Sequence, residues 1–213
     1  LVHAARERLA LDADLRHALD DEAPAADALW LEYQPVVALA TGRVTGLEAL
    51  VRWTHPTRGL LSPDAFIPLA EETGLIVPLG RHVLRMACRQ AFAWARAHPR
   101  RALVVSVNVS ARQLQEPSFP ADVARILAET SLPPERLCLE ITESVFVDGL
   151  DSTRERLARI KALGVHLAID DFGKGYSSLS YLRQLHVDAL KIDRTFVAGL
   201  GAHAAAAPGA RPA

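Results

Sequence analysis

From residue 29 onward the chain alternates between two hydrophobic rhythms. Short runs with an apolar residue at every second position occupy 29–39, 44–53, 103–109, 137–142, 165–169 and 189–192. Between them lie longer stretches in which apolar residues recur every three or four positions. The first rhythm is that of a half-buried strand and the second that of an amphipathic helix. Helices are accordingly expected over 64–72, 79–97, 122–130, 151–163 and 177–185. In the longest, Val83, Met86, Ala87, Ala91 and Trp94 share one face and Pro99 closes the run, while Gly164 closes the helix over 151–163. Strands alternating with helices of this length define parallel βα units and an α/β fold. Pro35 marks an edge or a bend in the first strand. Ahead of this, residues 1–28 carry Leu9, Leu11, Leu15 and Leu19 among charged residues and read as a linker helix. Residues 199–213, rich in Ala, Gly and Pro, read as a low-complexity tail.

Side chains alternate across a strand, so parity assigns each residue a face. In the second strand Leu47, Ala49 and Val51 oppose Glu48, Leu50 and Arg52. In the third, Leu103, Val105, Val107 and Val109 oppose Ser106, Asn108 and Ser110. The fourth sets Leu137, Leu139 and Ile141 against Cys138, Glu140 and Thr142. The fifth sets Leu167 and Ile169 against Ala168 and Asp170, and the sixth sets Leu190 and Ile192 against Lys191 and Asp193. Five successive strands thus pair an apolar face with a face that ends in a polar or charged group. Helices covering the apolar side make this a (β/α) barrel whose inner, C-terminal ends build a site.

The chemistry concentrates where the fifth strand ends in Asp170-Asp171, followed by Gly173, Gly175 and a helix start at Ser177. Two carboxylates so close resist joint ionisation unless a positive charge lies between them and other acids. Glu48, Asn108, Glu140 and Asp170, with Asp171 and Asp193 beside them, offer only oxygen, which selects Mg²⁺, Mn²⁺ or Ca²⁺ over zinc or copper. So many acids could hold two ions and clamp a phosphodiester. Lys191 either orients a water and neutralises charge at phosphorus or makes a structural ion pair, and Arg52 either grips a phosphate or is paired in the same way. Gly173 and Gly175 either cradle phosphate or form a hinge that positions Asp170 and Asp171. With 213 residues, half of them hydrophobic, and a net charge of −1, the chain can bury one substantial core and has no basic face for nucleic acid. It has no apolar run long enough to span a membrane and no signal peptide. Cys88 and Cys138, at no metal-binding spacing, suit buried thiols in a reducing cytoplasm.

Five ordered segments complete the picture: Glu48-Ala49-Leu50-Val51-Arg52-Trp53, Val107-Asn108-Val109-Ser110, Glu140-Ile141-Thr142-Glu143, Asp170-Asp171-Phe172-Gly173 with Gly175-Tyr176-Ser177-Ser178-Leu179, and Lys191-Ile192-Asp193. Together they resemble the motifs of the EAL domain, a family of cyclic-di-GMP phosphodiesterases, over residues 29–197. The resemblance implies a TIM-like (β/α) barrel with an antiparallel first strand, Mg²⁺ or Mn²⁺ as cofactor, and hydrolysis of cyclic di-GMP to linear pGpG. It implies Glu48, Asn108, Glu140, Asp170 and Asp171 as the metal shell, with Asp193 as an auxiliary, and Lys191 as the group that holds the attacking water. Catalytic roles fall on Lys191, Glu48 and Asp170, substrate contacts on Gln34 and Arg52, and anchoring of the glycine loop on Glu143. It also implies an upstream sensor or GGDEF domain in the full-length protein and leaves a homodimer open. Lys174 stands where the family usually has Thr or Ala.

After Val197 the family pattern is no longer followed. The expectation is therefore an incomplete barrel of about six of the usual eight strands, with an unpaired edge on the sixth and no seventh-strand glutamate to serve as base or second-metal ligand. Two functions follow: a phosphodiesterase with impaired turnover, or a catalytically inactive module that binds cyclic di-GMP or a protein. An unrelated metal-dependent barrel enzyme is a weaker third.

Overall fold

The alternating runs assemble into one sheet. In the computed structural model, which describes residues 2–20, 28–146, 150–173 and 186–198, β1 (Leu29–Ala38) and β2 (Arg43–His55) form an antiparallel hairpin. β4 (Val104–Val109), β5 (Leu137–Thr142), β6 (His166–Phe172) and β7 (Ala189–Ile192) then add in parallel, giving the order β1-β2-β4-β5-β6-β7. A three-residue strand, β3 (Gly59–Leu61), folds back on β2. The sheet curls as in a TIM-like barrel but does not close among the described residues. Pro35 lies in β1, at the edge of the described sheet and one residue before a register shift at Val36/Val37, as suits a residue with no N–H to donate. The helix expected over 177–185, much of the glycine loop and the 199–213 tail lie outside the described residues.

Helices α2 (Pro63–Thr73), α3 (Ile76–Ala97), α4 (Ala111–Gln115), α5 (Phe119–Thr130) and α6 (Leu150–Ala162) connect the strands, and a single turn, α7 (Arg194–Val197), follows β7. α5 starts three residues before its apolar period suggests, because Pro120 suits a first turn that has no use for its N–H. The apolar strand faces meet this layer as parity demands. Val105, Val107, Val109, Leu137, Leu139, Ile141, Leu167 and Ile169 are all buried, against Leu79, Val83 and Ala87 of α3, Val123 and Ile126 of α5, and Leu157 and Ile160 of α6. Each such side chain contributes about 1.5–3 kcal/mol by leaving water.

α1 (Val2–Ala18), expected as a linker helix, is docked. Leu11, Leu15 and Ala18 are buried in the common core, while Leu9 faces water. Buried His55 fixes this docking. Its Nδ1 accepts from the backbone N–H groups of Thr57 and Arg58, which leaves Nε2–H to donate to Asp14, 3.0 Å away.

Candidate active site

The strand register explains how residues far apart in sequence meet. Glu48 lies beside Ser106, Asn108 beside Glu140, and Glu140 beside Ala168, with Asp170 one pleat further along β6. All point to the inner face near the C-terminal ends of the parallel strands. Curling of the sheet then brings β7 across to β2. Lys191 Nζ donates to Glu48 Oε2 at 3.0 Å, to Glu140 Oε2 at 2.5 Å and to Asp170 Oδ2 at 3.0 Å. Asn108 Nδ2 donates to the other oxygen of Glu48 at 2.9 Å. One lysine thus ties three strands, and of the two expectations for its charge the structure shows the ion pair, set at the centre of the acids.

The charges do not balance. Three carboxylates face one ammonium, which leaves a formal excess of two negative charges. Burial pushes the Glu140 carboxyl above its usual range, despite the bond from Lys191. Burial alone would lower Lys191, but its bonds to Glu140, Glu48 and Asp170 outweigh that and hold it well above the ordinary ammonium range. Oxygen atoms from Glu48, Glu140 and Asp170 lie within 4.8 Å of one another. An all-oxygen set with an uncompensated double charge fits a hard divalent cation.

The remaining expected residues surround this cluster in different ways. Gln34 on β1 lies directly across from Glu48 and is exposed. Arg52, on the same face of β2, pairs with Glu32 of β1 at 2.6 Å and donates to the Val51 carbonyl. Asp171 is outside the triad. It has φ 54°, a left-handed conformation unusual for a side-chain-bearing residue, and its N–H donates to Asp170 Oδ1 at 2.8 Å. That twist coincides with the shift in β6–β7 register between Ile169 and Phe172. Buried Asp193 also stands apart, capping α7 by accepting from the N–H and hydroxyl of Thr195. Glu143, buried at the start of a 3₁₀ turn (Glu143–Phe146), accepts from Gly173 N–H at 3.2 Å. At that glycine φ is 104°, and a Cβ would strike the Phe196 ring.

Parity did not single out Asp188. It accepts from both Lys161 Nζ, at 2.9 and 2.7 Å, and Leu167 N–H, at 2.7 Å, so it pins the entry to β7 against α6 and β6. Its only sequence signal is an acid directly before a strand. Beside the cluster a cavity of about 460 Å³ is lined by Leu50, Pro63, Ile67, Asn108, Ser110 and Thr142 among others. Its floor is set by α4, whose first turn Ser110 and Gln113 close reciprocally through side chain and backbone.

With this geometry in view, similarity to known proteins becomes specific. The EAL domain family model matches residues 12–209. The cyclic di-GMP phosphodiesterase NbdA of Pseudomonas aeruginosa is 49% identical over 197 residues, 92% of this chain and 24% of its own length. An uncharacterised protein of Mycobacterium tuberculosis is 51% identical over 176 residues, 83% of this chain and 28% of its own. The chain therefore spans about a quarter of the length of the curated relatives it matches. Among solved structures, the P. aeruginosa MucR phosphodiesterase in complex with c-di-GMP is 43% identical with a TM-score of 0.82, over 90% of this chain and 75% of that one. The FimX EAL domain of Xanthomonas citri in complex with c-di-GMP is 27% identical with a TM-score of 0.80, over 93% and 74% of the two chains. A TIM-like sheet with an antiparallel first strand, five ordered motifs converging at its C-terminal end, and these matches together mean that the chain belongs to the EAL domain family.

Proposed function

We propose that this chain is the metal-dependent cyclic-di-GMP phosphodiesterase domain of a longer, cytoplasmic bacterial signalling protein, opening one phosphodiester bond to give pGpG. What supports this is the meeting of Glu48, Asn108, Glu140, Asp170 and Lys191 around one point with excess negative charge. Glu48, Asn108, Glu140 and Asp170 would hold Mg²⁺ or Mn²⁺, with Asp171 and Asp193 as auxiliaries. The ion would supply Lewis-acid polarisation of a phosphoryl oxygen and a lowered pKa for water. The chain's own residues do the rest. Arg52, whose fork is only one-fifth exposed, exchanges its Glu32 partner for a substrate phosphate, and Gln34 lies one strand away to bond the same ligand. Lys191 is placed to orient the attacking water and to neutralise charge developing on phosphorus. The apolar cavity beside the cluster takes a guanine. Glu143, through Gly173 N–H, sets the end of β6 and hence Asp170. An upstream sensor or GGDEF domain belongs to the same proposal; the name of the relative MucR pairs a diguanylate cyclase with a phosphodiesterase. No helix of the described residues is long and apolar enough to cross a membrane.

Calorimetry with Mn²⁺ and chromatography of cyclic di-GMP digests test this. The chain should bind Mn²⁺ and form pGpG, and Glu48→Ala or Asp170→Ala should abolish both; unaltered titration by either variant refutes the assignment. One observation favours a second function, binding of cyclic di-GMP with little or no turnover: the described residues assemble a single three-carboxylate cluster, not two. Saturable binding of cyclic di-GMP with no pGpG would establish it.

A further inference from the structure

The opposite end of the sheet carries the opposite charge. A cleft of about 470 Å³ opens between the β1–β2 turn and the segment leading into β4, lined by Thr41, Arg43, Thr45, Arg100, Arg101 and Leu103 among others. Arg43 opens β2 and Leu103 immediately precedes β4, so the cleft lies at the N-terminal ends of the parallel strands. Glu48 is five residues further along β2, which at about 3.3 Å per residue puts the acidic cluster roughly 17 Å away. That exceeds the Debye length of about 8 Å at physiological ionic strength, so an anion in the cleft is screened from the carboxylates.

Three features make this more than a charged surface. First, among the described residues none of the three guanidinium groups has a carboxylate partner, whereas Arg81, Arg85 and Arg125 are all engaged by Asp122 or Glu129. Second, the cations come from two separate segments that face each other across a concavity of ligand size. Third, the walls are held. Thr45 Oγ1 donates to the Val36 carbonyl across the hairpin, and Arg136 donates to the Leu103 carbonyl from the turn before β5. Thr41 Oγ1 accepts from Arg43 N–H, which leaves its own hydroxyl proton free to donate.

We propose that this cleft binds a small phosphate-bearing anion, pyrophosphate or the phosphate tail of a nucleotide, at a site separate from the acidic cluster. Three arginines lining one cleft offer guanidinium forks to several phosphate oxygens and call for a ligand with more than one charge. Calorimetry of the chain with inorganic pyrophosphate in EDTA, so that no metal bridges the ligand to the carboxylates, is the direct test. Saturable binding is expected, weaker by about tenfold for each guanidinium removed in Arg43→Gln and in the Arg100→Gln/Arg101→Gln pair. Turnover of cyclic di-GMP with Mn²⁺ should stay within about twofold in these variants. GTP binding more tightly than pyrophosphate would identify a nucleotide, and equal binding a free polyphosphate; either supports the site. No saturable binding, equal binding by the variants, or loss of binding in Glu140→Gln at the other end would overturn it. Should the double variant fail to fold by circular dichroism, Arg43→Gln on the exposed hairpin decides alone.

Discussion

β5 and β7 carry the same alternation and each sends one charged residue into the cluster, yet different forces hold them. In β5 every residue but the last is buried, with Leu137, Leu139 and Ile141 at no more than 1% exposure. In β7 the corresponding apolar positions, Leu190 and Ile192, are 44% and 61% exposed. What fixes β7 is polar: the ladder to β6, the Asp188 clasp at its start, and the reach of Lys191 to three other strands. An apolar strand tolerates changes of pH and salt, because its attachment carries no charge. A strand attached by ions answers to both. The part of the site that supplies the cation is therefore also the part most exposed to solution conditions.

The sharpest way to break this contrast is at Lys191. Lys191→Met should cut pGpG formation by about a hundred- to ten-thousand-fold, the usual worth of a positioned proton-handling or charge-neutralising group. Mn²⁺ affinity, read by calorimetry, should rise at the same time, since the three carboxylates lose the cation they share. Turnover that stays intact would make Lys191 a structural tie only. Next in size is a pair of truncations. Leu139→Ala in β5 should cost about 2–5 kcal/mol in urea melts, whereas Ile192→Ala in β7 should stay within about 0.5 kcal/mol. Equal losses would mean that β7 is held by apolar contact after all.

A smaller effect tests the clasp. Burial tends to raise the Asp188 carboxyl, but the bonds from Lys161 and from Leu167 N–H, with the nearby His166, win and hold it below the ordinary carboxylate range. A depressed folded-state pKa contributes stability that is present above the unfolded value of about 3.9 and is lost as pH falls through the lowered value. Discounted for exposure, Asp188→Asn should cost about 1 kcal/mol at pH 6, and the gap should narrow as the pH is taken below the unfolded value of about 3.9. A gap between wild type and variant that stays constant as the pH falls below that value would refute the ionic account. Smallest is the response to salt. Raising NaCl from about 0.05 to 0.5 M should narrow the same gap at pH 6, while leaving the Leu139→Ala cost unchanged.

The period-two pattern made β2 and β4 to β7 legible, and parity correctly assigned Glu48, Asn108, Glu140, Asp170 and Lys191 to one face. That works because a strand has only two faces and its core side is strongly apolar. What stayed hidden has physical causes. β3 is three residues long and has no period to detect. The docking of α1 rests on three small or aliphatic residues in an otherwise charged helix, too narrow a stripe to announce burial. Asp171 and Asp193 belong to the same acidic motifs as their neighbours, but a left-handed backbone turns one and a cap occupies the other; neither is encoded by strand parity. The pairing of Arg52 with Glu32 depends on the hairpin register, which composition does not reveal. Parity likewise named the apolar face of β7 without telling whether anything covers it.

The bond from Lys191 to Glu48 joins residues 143 positions apart. During synthesis at about 5–20 residues per second, β2 emerges on the order of ten seconds before the strand that answers it. Contacts this distant in sequence form late, after the loops they close have already lost their freedom. For that interval Glu48, and then Glu140 and Asp170, have no lysine, and their first counter-ions come from the surrounding solution. The cation-hungry cluster of acids thus precedes its lysine in the nascent chain, and the arrival of Lys191 reports that the polypeptide has threaded through every strand in between.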